Sequence, residues 1–247
     1  MIPSRYTNLD AARARFGDRV DRLAPFLLRT DPLADAAVAA MAELGPGRGF
    51  PMLEQILERG LDAAPDAPAA LRTFFVETAR VPAWVDWPTI DGAGDVLYRA
   101  GILGGLVLGA MALPLAYASP GGNKPLVFSG RLTQQASRRL AETSRFVQAV
   151  CHPRGMHPGG DGFKITLKVR IMHAHVRRMI LQSGRWDEAS WGAPINQHDM
   201  VATTLLFSIV LLEGLRRFGL VVSHAEAERY VQLWRYVGYL SGVDLEL

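Results

Sequence analysis

Apolar positions in this chain recur at three- and four-residue intervals, the period of helices that bury one face, and the strict alternation of a half-buried strand is nearly absent. Asp31 followed by Pro32 reads as an N-cap with proline at the first helical position, opening a helix that Gly45-Pro46-Gly47 stops. The pattern predicts further helices over about 50–61 and 67–80, the second ending where Val81-Pro82 disfavours a further turn. Trp84-Val85-Asp86-Trp87-Pro88 reads as a rigid aromatic turn and Ser119 to Asn123 as a loop. Long amphipathic helices are expected over about 129–150 and 163–182, joined by a Gly/Pro/His-rich connection from Cys151 to Gly162. Asn196 and Ser223 read as N-caps, with Asp199 and Glu226 three residues on as capping-box partners. The expectation is an all-α fold, a helical bundle in one domain, with 1–30 as an N-terminal extension and 31–247 as the domain proper. Neither repeats nor a polar interdomain linker interrupts it.

Two stretches are apolar enough to test as membrane spans. Gly101 to Ala118 has about the minimum length, but four glycines and Pro114 weaken a free helix there, and no basic cluster follows. Val201 to Leu215 is interrupted by Ser208 and Glu213. Both read as buried core helices, which leaves peripheral membrane contact open. The N-terminus carries no apolar secretory segment, so the setting expected is cytoplasmic. Composition agrees: apolar residues make up 49% of the chain, enough for a large core. The net charge of +3 gives no basic stripe for nucleic acid, although Arg131, Arg138, Arg139, Arg145 and Arg154 cluster against Glu142 alone. A single cysteine, Cys151, excludes an intrachain disulfide framework, and no CxxCH offers covalent haem attachment.

The chemistry-bearing pattern lies in the 163–182 helix. Arg170, His173 and Arg177 are spaced i, i+3, i+7 and share a face with Thr166, Val169, Val176 and Ile180. An apolar stripe carrying one imidazole and two guanidiniums suits an iron porphyrin: an axial nitrogen, side chains against the macrocycle, cations for propionates. His175 lies about 200° around the helix and cannot share the same metal ion. On spacing alone, a hydrogen-bonded structural histidine is the commoner reading. On the preceding helix Arg139 and Thr143 are i, i+4 neighbours with Phe146 beside them; an exposed arginine and a packed threonine are the ordinary alternative.

Three blocks in order carry a family resemblance: Arg139-x-x-x-Thr143; Arg170-x-x-His173-x-x-x-Arg177, with thirty residues from Thr143 to His173; and Pro194-Ile-Asn-Gln197-His-Asp199 leading into Thr203 to Ser208. Over most of the chain, from about Asp31 to Val243, the sequence resembles the family that groups rubber oxygenases (latex clearing proteins) with MpaB-type oxygenases. The resemblance implies an all-helical, globin-like core holding haem b. His173 then stands at the proximal ligand, Arg170 and Arg177 at its flanking arginines, and Arg139 and Thr143 at the pair beside the haem. It also implies O₂ chemistry on a carbon–carbon double bond. Glu142 falls where rubber oxygenases tend to carry a lysine, and could serve as a proton donor or acceptor if it points inward. No Asp or Glu lies between Ser119 and Arg138 to match the acidic base proposed for those enzymes. With no export signal, the expected substrate is a small hydrophobic alkene, terpenoid, lipid or polyketide rather than a polymer.

Elsewhere the bland readings stand. Cys151 reads as a structural thiol, His152 and His157 as solvated loop histidines, His198 as part of a helix cap, and the tryptophans as packing residues. There is no P-loop, GxGxxG, GxSxG or HExxH. The leading function is a haem-dependent oxygenase using O₂ and a hydrophobic substrate. A non-catalytic haem carrier or gas/redox sensor is the alternative, and a haem-free lipid-binding scaffold a third. The sequence leaves the oligomeric state open.

Overall fold

A computed structural model describes residues 2–128 and 136–247, and among these residues every regular element is a helix. Two short helices, α1 (Leu9–Phe16) and α2 (Arg19–Leu23), lead through a 3₁₀ turn to α3 (Pro32–Glu43). Asp31 caps α3 as its sequence foretold, its carboxylate accepting from Ala34 N–H. Then come α4 (Gly49–Arg59), α5 (Ala69–Thr78), α6 (Trp87–Asp91) and α7 (Asp95–Ala100). The aromatic turn is therefore shorter than expected, because Asp86 caps α6 and Pro88 occupies its first turn. At Gly101 the chain turns through 87°, with φ +52, a backbone state glycine reaches without steric cost.

Beyond the corner run α8 (Ile102–Val107), a π-helical turn over Leu108–Ala112, and α9 (Leu113–Tyr117). The Ser119–Asn123 loop is corrected by the structure: α10 (Pro120–Phe128) starts inside it. Pro120 suits a first helical position, and the Asn123 side-chain amide donates to the carbonyls of Ala116, in α9, and Ser119, just past its end. The helix expected over 129–150 is described from Ala136, as α11 (Ala136–Cys151); residues 129–135 lie outside the described residues. After it come α12 (Asp161–Gln182), α13 (Glu188–Trp191), α14 (Gln197–Phe207), α15 (Ile209–Arg217) and α16 (His224–Leu240).

The longest helix, α12, sits at the centre, packed against α3, α10, α11 and α16. It brings Leu167, Ile171 and Ala174 into a core with Ala34, Val38, Leu71, Phe74, Tyr230 and Trp234. Residues before 31 also lie against this body: Val20, Ala24, Phe26 and Leu27 are buried, and the amides of Ser4 and Arg5 donate to the carbonyls of Ala189 and Ser190. The two apolar stretches are not buried throughout. Ile102, Leu106, Leu115, Leu205 and Ile209 are exposed, while Val107, Ala112, Leu211, Leu212 and Leu215 face the core. Gln197–Arg217 is long and apolar enough to cross a membrane, and only a third of its most apolar window is buried. An apolar run thus overstates burial when its helix packs on one side alone.

Candidate functional site

His173 lies midway along α12. Its imidazole is half-buried as a whole, but Nδ1 is fully enclosed and has no hydrogen-bond partner among the described residues. Burial pushes its pKa down to about 4, Arg177 adds to the depression, and Asp31 opposes it. The ring is therefore neutral at physiological pH, the state in which an imidazole nitrogen can bind a metal. His175 points elsewhere and stands edge-on to Phe50 of α4, with ring centroids 5.2 Å apart. A shared His-x-His metal site is thus absent, as the helical angle requires.

The flanking arginines are buried and engaged. Arg170 holds Asp31 through two bonds, Nε to Oδ2 at 2.7 Å and Nη2 to Oδ1 at 2.9 Å, and its Nη1 donates to Leu240 carbonyl. Arg177 pairs with Asp35 and donates to the carbonyls of Pro194 and Ile195 at 3.0 and 2.9 Å. Their guanidinium donors thus meet protein carboxylates and carbonyls rather than standing free for propionates. The sequence reading missed these partners. One signal was available: Asp31 and Asp35 are i, i+4 on one helix face, matching arginines seven residues apart on another.

On α11, Arg139 is half-buried and makes no hydrogen bond or ion pair among the described residues, while Thr143 is exposed. Glu142 is also exposed and pairs with Arg138 one turn away at 2.8 Å, so it does not point inward. Helices α11 and α12 pack together across a connection that folds back on itself, Phe163 N–H donating to Gly155 carbonyl. Arg139 and His173 each stand about 18 Å along their helix from that connection, which puts them at one level.

The third block is an anchor. Asn196 caps α14 through Asp199 N–H, and Gln197 bridges three segments: its side-chain amide donates to the carbonyls of Thr30 and Gly242, and its Oε1 accepts from Asp244 N–H. Both side chains are buried, and Asp199 binds Arg5 at 2.5 Å. Ile195, just before them, has φ +54. His198 lies beside this cap, edge-on to Tyr6.

Of the two connecting-loop histidines, His152 is exposed as expected, whereas His157 is held more firmly than a solvated loop histidine. His157 stacks on Trp87 at 4.0 Å and bonds Asp91 at 3.0 Å. A cleft of about 560 Å³ nearby is lined by Tyr98, Arg145, His152, Arg154 and Asp161, not by His173. Cys151 is buried, and desolvation pushes its thiol up to about 12, so it is a structural thiol and no ligand. Among the described residues no group of three His, Cys, Asp or Glu side chains could hold a bare metal ion. A lone half-buried imidazole suits an iron that brings its own macrocycle.

Comparison with known proteins now decides the family. Residues 93–247 match the model described as ER-bound oxygenase mpaB/B′/rubber oxygenase, catalytic domain. The chain belongs to this family. It is 26% identical over 219 residues to the rubber oxygenase of Streptomyces sp. (strain K30), a match covering 87% of this chain and 54% of that protein. The chain thus spans about half the length of that curated relative. Its fold is similar to that of a latex clearing protein, solved as "Structure of Latex Clearing Protein LCP in the closed state", with a TM-score of 0.75 and 25% identity, covering 89% of this chain and 60% of that one. The all-helical, globin-like architecture expected of the family is the architecture found.

Proposed function

We propose that this domain is a haem-b-dependent oxygenase that acts with O₂ on a small hydrophobic substrate. The observation that carries the reading is His173: neutral, half-open, one nitrogen enclosed, and level with a half-buried Arg139 that has no partner among the described residues. Family membership supports oxygenase chemistry. In this reading His173 would hold the haem iron through its other nitrogen, Nε2, and Arg139 would be the cation available to a propionate, since Arg170 and Arg177 are engaged. Thr143, one turn on, presents a hydroxyl on the same side of α11. Exposed leucines on α8, α9, α11 and α14 (Leu106, Leu115, Leu140 and Leu205) offer apolar surface to a macrocycle and an apolar substrate. Bound haem would supply an iron able to bring O₂ beside an alkene. Glu142, bonded to Arg138 at the surface, is given no proton-transfer role in this reading. A cytoplasmic setting, proposed with this function, fits a single buried free thiol.

The second reading is a non-catalytic haem protein, favoured by the exposure of Thr143 and by the outward Glu142. Purified protein expressed with ample haem is expected to show a Soret band and a b-type pyridine haemochrome. Both should be lost in His173→Ala with helical circular dichroism intact. O₂ consumption dependent on an apolar alkene then separates oxygenase from carrier. A folded, haem-replete preparation with no Soret band overturns both.

A further inference from the structure

Each arginine flanking His173 holds a carboxylate, and one of these, Asp31, is close enough to act on the ring, which bears on what kind of ligand the histidine is. A metal-binding histidine usually donates its second N–H to a carboxylate, a carbonyl or water, which raises its basicity. Here Nδ1 is enclosed and unpartnered among the described residues, although the Asp31 carboxylate lies at the head of the facing helix α3. We propose that Arg170 is a positioning residue that holds Asp31 off His173, leaving the imidazole with no carboxylate on its Nδ1. The inference rests on the reading of His173 as axial ligand, and deepens it by assigning that ligand a weak donor strength.

Three observations support it. Arg170 and Arg177 stand at i−3 and i+4 from His173, one turn to either side, so each reaches α3 beside the imidazole. Both oxygens of Asp31 are already engaged: Oδ2 takes Arg170 Nε, and Oδ1 takes Arg170 Nη2 and Ala34 N–H. Gly242 closes the pair from the other side, where an added Cβ would stand 2.7 Å from Arg170 Nε and closer still to Asp31 Oδ2. An Asp31 so held cannot turn toward the ring. The cost of an unpartnered N–H is borne by a site whose alternative is an anionic partner that would make the imidazole a stronger donor.

The test uses ¹⁵N-histidine-labelled, haem-free protein, with the His173 signal assigned by its loss in His173→Ala. In the wild type the Nδ1 proton should lack the downfield shift of a hydrogen bond to carboxylate. In Arg170→Gln the freed Asp31 should capture it, moving the proton downfield and slowing its exchange. Arg170→Lys, which keeps a cation on Asp31, should restore the wild-type signal, as should the double variant Asp31→Asn with Arg170→Gln. In haem-loaded samples the ferrous iron–histidine stretching band should rise in Arg170→Gln only. A hydrogen-bonded Nδ1 proton in the wild type overturns the proposal even if no variant folds, and so does an unmoved proton in a folded Arg170→Gln. Failure to bind haem refutes the axial-ligand reading while the proton measurements still decide the positioning.

Discussion

Gly242 has φ +87 and lies against the buried Asp31–Arg170 pair, so it answers for backbone and side chain at once. Gly242→Ala should destabilise the fold by roughly 2–4 kcal/mol, a left-handed alanine adding strain to a collision with a buried ion pair. Urea denaturation would measure it; a cost under about 0.5 kcal/mol, the scale of ordinary surface changes, would show that the pair can move aside. Cys151 gives a second test at this scale. With its thiol near 12, it should resist alkylation in the native protein and react fully in denaturant. Sequence periodicity placed Arg170, His173 and Arg177 on one face, and the structure keeps them there. It could not supply Asp31 as Arg170's partner, because periodicity names a face and not what meets it 139 positions away. The same limit applied to Glu142, whose outward direction follows from the way α11 packs.

Helix ends were more legible than helix surroundings. The capping box at Ser223 and Glu226 is present in full, because it closes within four residues. Glu226 is also bonded by Arg99 and by Ser223, and these contacts lower its carboxyl to about 2 from an ordinary 4.5. A depressed folded-state pKa contributes stability that is complete above pH 4.5 and is lost as pH falls toward 2. The stability difference between wild type and Glu226→Gln should therefore be constant near neutrality and shrink over that interval in pH-dependent thermal melts. A difference that stays level down to pH 2 would remove the carboxylate from the account. The start of α10 was not legible, since Pro-Gly-Gly-Asn is turn composition. Docking on α12, with Asn123 capping the end of α9, overrides the local preference.

Across the whole molecule, stability should be graded outward from α12. Its inner face, from Phe163 to Ile180, is buried among four neighbouring helices, whereas α1 buries no residue. Native-state hydrogen exchange should find the amides of Ile171, Ala174 and Arg177 opening only with global unfolding and those of α1 exchanging through local fraying. Equal protection in both would contradict the arrangement. One consequence of the paired ion bridges is mechanical. They join α12 to the start of α3 at two points about 10 Å apart along the helix axis, and two fixings remove both sliding and pivoting where one would leave a hinge. The wall bearing His173 is thus the anvil of this molecule, a surface against which a guest is pressed without the wall giving way.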